Sequence, residues 1–521
     1  MRMAVLGIFA VAVLAIDRPA GADGKTVYDV VVYGGTSTAV VAALQVKEMG
    51  KTVVVVSPDK HLGGLSSGGL GATDIGNKRA IGGISREFYR RLGQHYGKEE
   101  AWTFEPHVAE MTFQAMIRES QVLVVYEERL DLDDGIAMEK GVITALRTES
   151  GNTYLGRVFI DATYEGDLMA KAGVPYHVGR EPNTAYNETL NGVQTKHAKF
   201  HQFKVPIDPY RVPGDPESGL LPHIQDNGPG AEGSGDHRVQ AYCFRMCLTN
   251  NPANRMPFPR PANYDPADYE LLLRYLRAGH WTVMNLSKAM PNAKTDTNNK
   301  GAFATDFIGG NYDYPDGDYT VRERIIREHK DYQQGLMWFL VNDPRVPQAV
   351  HDEMQQWGLP SDEFTDNGGW PHQLYIREAR RMISDYVMIQ QNCQGARTID
   401  DSIGLACYTM DSHHVQRYVK DGRVLNEGDV EVGGFGPYPI AYRSIRPNRK
   451  HCKNLLVPVC LSSSHIAFGS IRMEPVFMIL GQSAGTAAAM AIDASVPVQD
   501  VDMLRLQQRL RADGQVLAWK P

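Results

Sequence analysis

Short apolar runs separated by glycine-rich turns mark both ends of this chain, and the middle breaks that rhythm. Tyr28–Tyr33, Thr52–Ser57 and Val158–Ala162 are apolar runs of the length and β-branched character that a parallel sheet buries on both faces. Gly34, Gly35 and the small residues Thr36 to Ala39 separate the first run from a helical-length stretch, so a βαβ unit is predicted to end at about Ser57. Ser85–Gly97 and Val108–Ser120 read as helices, and Val122–Tyr126 and Val142–Thr148 as hairpin-type strands. Between Gly179 and Asn311, proline, asparagine and glycine become dense. Such a stretch either lines a binding face or is an irregular insertion. Ile325, Ile326, His329, Tyr332 and Leu336 recur at helical spacing within Asp318–Val341, and a further helix is predicted over Gln373–Gln391. Asn454–Cys460 reads as a strand. Gly481–Ala491 reads as the start of a helix whose small residues allow close packing against a sheet or a ligand. The chain is predicted to be α/β.

The first turn carries the clearest chemistry. Helix N–H groups after Thr36 would face an anion, most simply a dinucleotide pyrophosphate. The turn departs from G-x-G-x-x-G, with Thr36 at the second glycine position and Ala39 at the third. The acidic residue expected near the end of the second strand is replaced by Ser57, with Asp59 two residues on. The glycine-dense loop His61–Ala72 costs conformational entropy to order, which fits a mobile loop or one pressed against a ligand.

Composition narrows the classes. The 521 residues suffice for two or three domains, and 43% hydrophobic with 22% charged residues is the make-up of an ordinary globular protein. A net charge of -7 without a basic block excludes a nucleic-acid footprint. Ala4–Ile16, preceded by Arg2 and followed by Ala20-Gly21-Ala22, reads as a signal peptide over residues 1–22, so a secreted or periplasmic protein is expected. That run is too short to span a bilayer, and no later run reads as long enough. Cys243 and Cys247 would share a face on a helix, or form a disulfide otherwise, while Cys393, Cys407, Cys452 and Cys460 read as buried thiols. No metal site is expected.

Several separated segments, in order, resemble one family. They are Gly34-Gly35-Thr36, His61-Leu-Gly-Gly64, Ile160–Asp167, Leu374–Arg381, Asp411–Arg417, Ser464–Met473 and Gly481–Ala488. Together they resemble the large bacterial group of FAD-dependent oxidoreductases in the glutathione-reductase-like superfamily. The resemblance implies a Rossmann-like FAD-binding domain assembled from residues 23–178 and 441–521, with an inserted α+β substrate region over 179–440. It implies that Gly34, Gly35, Thr36, Ser37 and Thr38 hold the pyrophosphate, with Ser57 or Asp59 near the adenosine ribose. His61, Leu62, Gly63, Gly64, Leu65 and Ser66 would run along the ribityl chain and flavin, and Ala162, Thr163 and Asp167 would pass beside the FAD. Gly481, Gln482, Ala484, Gly485 and Thr486 would place a helix N-terminus at the pyrimidine end of the ring, where its dipole favours negative charge. His61 is either an ordinary loop histidine or a covalent flavin anchor. Without a twin arginine, an exported chain would acquire its FAD outside the cytoplasm.

Oxidation of an alcohol needs a base for the hydroxyl proton, and a histidine suits that work near neutrality. His465 is the first candidate, followed by His413 and His414 in a segment with Asp411 that could orient an imidazole; a structural histidine is the alternative for each. Arg377, Arg380 and Arg381 are predicted on one helix, with Arg377 and Arg381 on a shared face. With Arg443 and Arg472 they offer carboxylate or sulfate binding, or else salt bridges with Glu378, Asp385 or Glu474. Tyr438, Tyr442, Tyr375 and Trp370 suit sugar rings or a core. The expected substrate is a polar small molecule, preferably a carbohydrate. A polysaccharide lyase or hydrolase working by transient oxidation, or a non-catalytic flavin-binding protein, are the alternatives. No second glycine fingerprint supports a nicotinamide partner, which leaves oxygen, a quinone or a redox protein as electron acceptor.

Overall fold

The computed structural model describes residues 26–519 except 282, 283 and 288; the expected leader lies outside the described residues. Strand β1 (Val27–Tyr33) enters helix α1 (Ser37–Glu48) through the glycine turn, and β2 (Val53–Val56) returns parallel to β1, with Val30 opposite Val53 and Tyr33 opposite Val56. Helices α2 (Gly83–His95) and α3 (Pro106–Glu119) precede β3 (Leu123–Val125). The hairpin β4 (Ile136–Glu139) and β5 (Val142–Arg147) leads to β6 (Thr153–Asp161). The sheet order is β3-β2-β1-β6-β5-β4. Val30 to Val32 of β1 and the valines of β2 are fully or almost fully buried, as a sheet covered on both faces requires.

One expected hairpin is corrected. The Leu123–Val125 strand pairs parallel with β2 at the sheet edge, whereas β5 pairs antiparallel with both β4 and β6. A β-rich run after two helices fits a crossover as well as a hairpin, and the local pattern does not separate the two.

The chain re-enters this sheet at its far end. Leu455–Leu456 lies parallel to β6, opposite Phe159 and Ile160. A long helix, Glu474–Ala494, then crosses α1. A Cβ on Gly481 would sit 2.6 Å from the Thr38 carbonyl oxygen, and one on Gly485 would sit 2.6 Å from that of Ala42. The glycines are therefore where two helix backbones touch. This helix is long and apolar enough to cross a membrane by length and composition, and it is buried in the core.

Two further expectations fail on local geometry. The helix predicted over 373–391 is absent. Arg380–Met382 is a strand paired antiparallel with Tyr176–Val178, and only Gln390–Cys393 is helical. The arginine spacing that fits a helix fits this strand and its approach equally, and partners on other elements decide. The helix expected to begin near Gly481 begins at Glu474, one residue after Met473. Cys243 and Cys247 lie outside any helix, buried and unbonded to each other.

Candidate active site

The turn between β1 and α1 forms the floor of a cleft lined by Gly34, Gly35, Thr36, Asp59, His61, Gly64, Thr163 and Tyr164. Gly34 has φ +126°, and a Cβ there would meet the Ala162 carbonyl oxygen at 2.7 Å, so this position requires glycine. Gly35 has no room either, since its Cβ would lie 2.4 Å from Ser57 Oγ. Thr36 caps α1, accepting from the Ala39 amide at 3.3 Å while its hydroxyl donates to Ala162 O at 2.7 Å. The Gly63 amide donates to Gly35 O at 2.8 Å and fastens the glycine loop over the turn. The loop is buried from Leu62 through Gly71, hence pressed down rather than loose.

Ser57 Oγ donates to Asp59 O at 2.8 Å, and the exposed Asp59, its carboxyl raised by desolvation, lines the cleft. His61 Nδ1 lies 3.0 Å from Glu110 and Nε2 lies 3.2 Å from Asp366, with the ring stacked on His372 at 4.0 Å. Both ring nitrogens thus face carboxylates. Asp167 is gripped by Arg322 at 2.6 and 2.9 Å and by Arg380 at 2.6 Å, as part of a buried ion cluster. Gly481, Gln482, Ala484, Gly485 and Thr486 sit inside the Glu474–Ala494 helix rather than at its start. Gln482 bonds Gln45 at 3.0 Å and the Ile84 amide at 2.9 Å. Thr486 bonds back to Gln482 O at 2.8 Å.

Glu474, named from the sequence only as a salt-bridge partner for arginines, is instead a hub of the cofactor cleft. Its carboxylate accepts from Ser37 Oγ at 2.7 Å, Ser66 Oγ at 2.8 Å and Tyr164 OH at 2.7 Å, and Tyr164 OH in turn accepts from the Leu65 amide at 2.9 Å. Desolvation raises the Glu474 carboxyl and these hydroxyls oppose the shift. The first turns of α1 and of the Glu474–Ala494 helix therefore meet at one carboxylate. A glutamate at the first position of an apolar helix, beside Pro475, was the available signal.

Beyond Tyr164 and Leu374 the cleft continues between Tyr375, Arg377, Phe468, Arg472 and Glu474. Tyr375 also walls a polar cavity of about 160 Å³, lined by Asp74, Arg245, Tyr408, Asp411, His413 and Glu431 among others. The three histidine candidates separate here. His465 is buried, with Nδ1 2.7 Å from Glu378 and Nε2 3.1 Å from Ser412, and burial with Arg381 and Arg180 pushes it down to about 3. His414 bonds the Phe200 and His201 carbonyls, and burial likewise pushes it to about 3. His413 lines the cavity. Its Nδ1 is 2.6 Å from Asp306, and its Nε2 is 4.0 Å from Asp411. Burial and the nearby Arg377 lower the ring despite Asp306. Burial would raise Asp306, but Arg377 at 2.9 Å and His413 hold it well below the carboxylate range.

The expected substrate arginines do not converge. Arg381 is fully buried against Glu181 at 2.8 Å, and Arg443 pairs with Asp401 at 2.9 Å, away from the cavity. Tyr442 bonds Val498 O at 2.7 Å, Tyr438 bonds Ser470 at 2.7 Å, and Trp370 is buried. Arg472 does reach the site, donating to Tyr375 OH at 2.6 Å and lying 3.6 Å from Asp411.

The family described as FAD dependent oxidoreductase matches residues 29–510. The chain belongs to that family. Its cofactor is FAD, and the residues fit it. A glycine cradle that a Cβ would fill lies against a helix N-terminus. Thr38 Oγ1, His372 Nε2, Arg377 Nε and Arg472 Nε are buried without a hydrogen-bond partner in this part of the molecule. Among solved structures, L-proline dehydrogenase from P. horikoshii is similar at 15% identity and TM-score 0.24, over 30% of this chain and 58% of that one. L-amino acid deaminase from Proteus vulgaris is similar at 14% identity and TM-score 0.24, over 32% and 55%. The chain thus spans little more than half the length of these two structures. No curated protein matches it.

Proposed function

We propose that this FAD-dependent oxidoreductase oxidises a hydroxylated small molecule, in our reading a carbohydrate or its derivative, with His413 as the base. The observation that carries this reading is the Asp306–His413 pair at a polar cavity that shares Tyr375 with the cofactor cleft. FAD, when bound, supplies the two-electron acceptor for hydride. The remaining work belongs to side chains. Asp306 accepts from Nδ1 and fixes the tautomer, so Nε2 presents a lone pair to a substrate hydroxyl and takes its proton. Arg377 keeps Asp306 ionised and disfavours an imidazolium, so the base is neutral before turnover. Arg472 holds Tyr375 between the two spaces. The presence of Tyr375 and Tyr408 with Asp74, Asp411, Asn298 and Asn299 in one wall supports a sugar-like ligand. The apolar stretch Ala4–Ile16 supports export, and electrons would then pass to oxygen, a quinone or a small redox protein.

Anaerobic mixing of the FAD-loaded protein with a panel of sugars and sugar derivatives, followed by flavin absorbance, tests this. His413→Ala should slow bleaching by about 10² to 10⁴-fold, the usual contribution of a positioned base. Because His413 is lowered from 6.5 and must be neutral, the wild-type rate should stay level above that pH and fall only as pH drops below it. A His413→Ala protein that bleaches at the wild-type rate would exclude His413 as the base.

A further inference from the structure

The strands that carry His413 also carry an unusual set of charges. Met410–Ser412 pairs antiparallel with Val430–Val432, which puts Asp411 directly opposite Glu431. Like charges directly opposed across a ladder are destabilising. Asp429 lies two residues before Glu431 and so shares its face, and continuing the register by one residue sets His413 across from Asp429. One face of this short ribbon therefore gathers three carboxylates and the base.

The available cations do not balance them. Arg245, the arginine of the cavity wall, is held bidentately by Asp296 at 2.7 and 2.8 Å. Arg472 lies 3.6 Å from Asp411, and among the described residues Asp74 is hydrogen-bonded only to the Tyr408 hydroxyl at 3.1 Å, with Arg245 acting on it electrostatically. Asp429 is 2% exposed, and its Oδ1 has no hydrogen-bond partner among the described residues. Its carboxylate clusters within 4.8 Å of the ligating atoms of His201 and Glu431, which line the cavity. A buried carboxylate with nothing to accept from is costly unless a cation arrives.

We propose that the cavity is a subsite for a protonated nitrogen, so that the substrate carries an ammonium group held by Glu431 and Asp429 while a hydroxyl meets His413. This rests on the placement of the substrate in this cavity argued above. An ammonium brings N–H donors to carboxylates that can only accept. A metal ion fits less well. The Gly301 amide donates to His201 Nδ1 at 3.0 Å, which leaves the proton on Nε2, 3.4 Å from Glu431, and withholds that nitrogen from coordination. Burial lowers His201, but Glu431, Asp429 and Asp306 outweigh it and raise the ring overall, and the Gly301 amide aimed at Nδ1 opposes protonation at that nitrogen. Asp74 and Asp429 are both raised by desolvation, Asp429 to about 8, which the nearby Arg245 and His201 offset only in part. His201, Glu431, Asp411 and Asp306 are the charged or titratable groups that act on Asp429.

The test is calorimetric titration of the FAD-loaded protein at pH 7 with glucosamine, glucose, glucuronate, ethanolamine, magnesium and zinc. Amines should bind at least about tenfold more tightly than glucose, release protons as Asp429 ionises, and lose that preference in Glu431→Gln and Asp429→Asn. Equal affinity for glucose and glucosamine, preference for glucuronate, no amine binding at millimolar concentration, or stoichiometric metal binding lost in the same variants would overturn the proposal. Failure here is separable from failure of the reaction. Flavin bleached by neutral sugars without an amine preference removes the subsite and leaves the base. Amine binding with a flavin that no compound bleaches keeps the subsite and removes the reaction.

Discussion

Glu474, which lines the cofactor cleft, and Asp429, which lies beside Glu431 of the polar cavity, are both buried carboxylates, and they differ in one respect. Three hydroxyls converge on Glu474, whereas Asp429 Oδ1 has no partner among the described residues. The first arrangement is complete before any ligand arrives, joining two helix starts and the glycine loop into a rigid cofactor floor. The second is incomplete, with like charges opposed on a ribbon and a base beside them. Satisfied polar networks hold a fold together, and unsatisfied ones mark where it expects something from outside.

The contrast can be broken most forcefully at Glu474. Glu474→Ala strands the hydroxyls of Ser37, Ser66 and Tyr164, and at about 1–3 kcal/mol for each buried group left unsatisfied the protein should melt well below wild type and lose FAD on gel filtration. Unchanged melting would show that the network is not structural. Gly34→Ala forces a Cβ to 2.7 Å from the Ala162 carbonyl at a positive φ. The expected cost is about 1–3 kcal/mol, with FAD uptake, read by absorbance, reduced more than the fold itself.

Asp429→Asn should act in the opposite direction. Burial raises the Asp429 carboxyl from the ordinary 3.8 to about 8, so the native state holds an extra proton between these pH values and wild-type stability falls as pH rises through that window. The variant escapes that loss. It should match wild type below pH 3.8 and exceed it above pH 8 by on the order of 1–3 kcal/mol, measured by urea unfolding of the ligand-free protein. Equal stability at high pH would mean that Asp429 has a partner in solution. The smallest effect is expected from His61→Ala. Because Glu110 and Asp366 face both ring nitrogens, acid precipitation should release the flavin from wild type and variant alike. Flavin retained in the wild-type pellet alone would identify His61 as a covalent anchor.

The cofactor floor was the more legible region because its chemistry is local. Gly34 and Gly35 adjoin the strand and helix they connect, and the βαβ unit follows from consecutive residues. His413 was named among three histidines, but nothing in the local pattern ranked it first, since its partner Asp306 lies 107 residues away. The D-x-H at Asp411–His413 and the D-x-E at Asp429–Glu431 were both present in the chain. Period-two spacing puts each pair on one face of a strand, yet only the pairing of the strands makes them one surface. The arginine segment misled for the converse reason. Arg377 and Arg381 suit a helix by spacing, but Asp306 and Glu181 draw them to different places.

By itself the sequence determined the α/β class and the glycine turn, because backbone sterics and helix dipoles act over a few residues, while FAD was implied only by the resemblance of several separated segments to a family. Tertiary structure decided where the long helix begins, which histidine faces a cavity and which carboxylates remain without partners. Those outcomes depend on burial and on charges brought together from distant segments, and electrostatics in a desolvated interior answers to distance in space rather than along the chain.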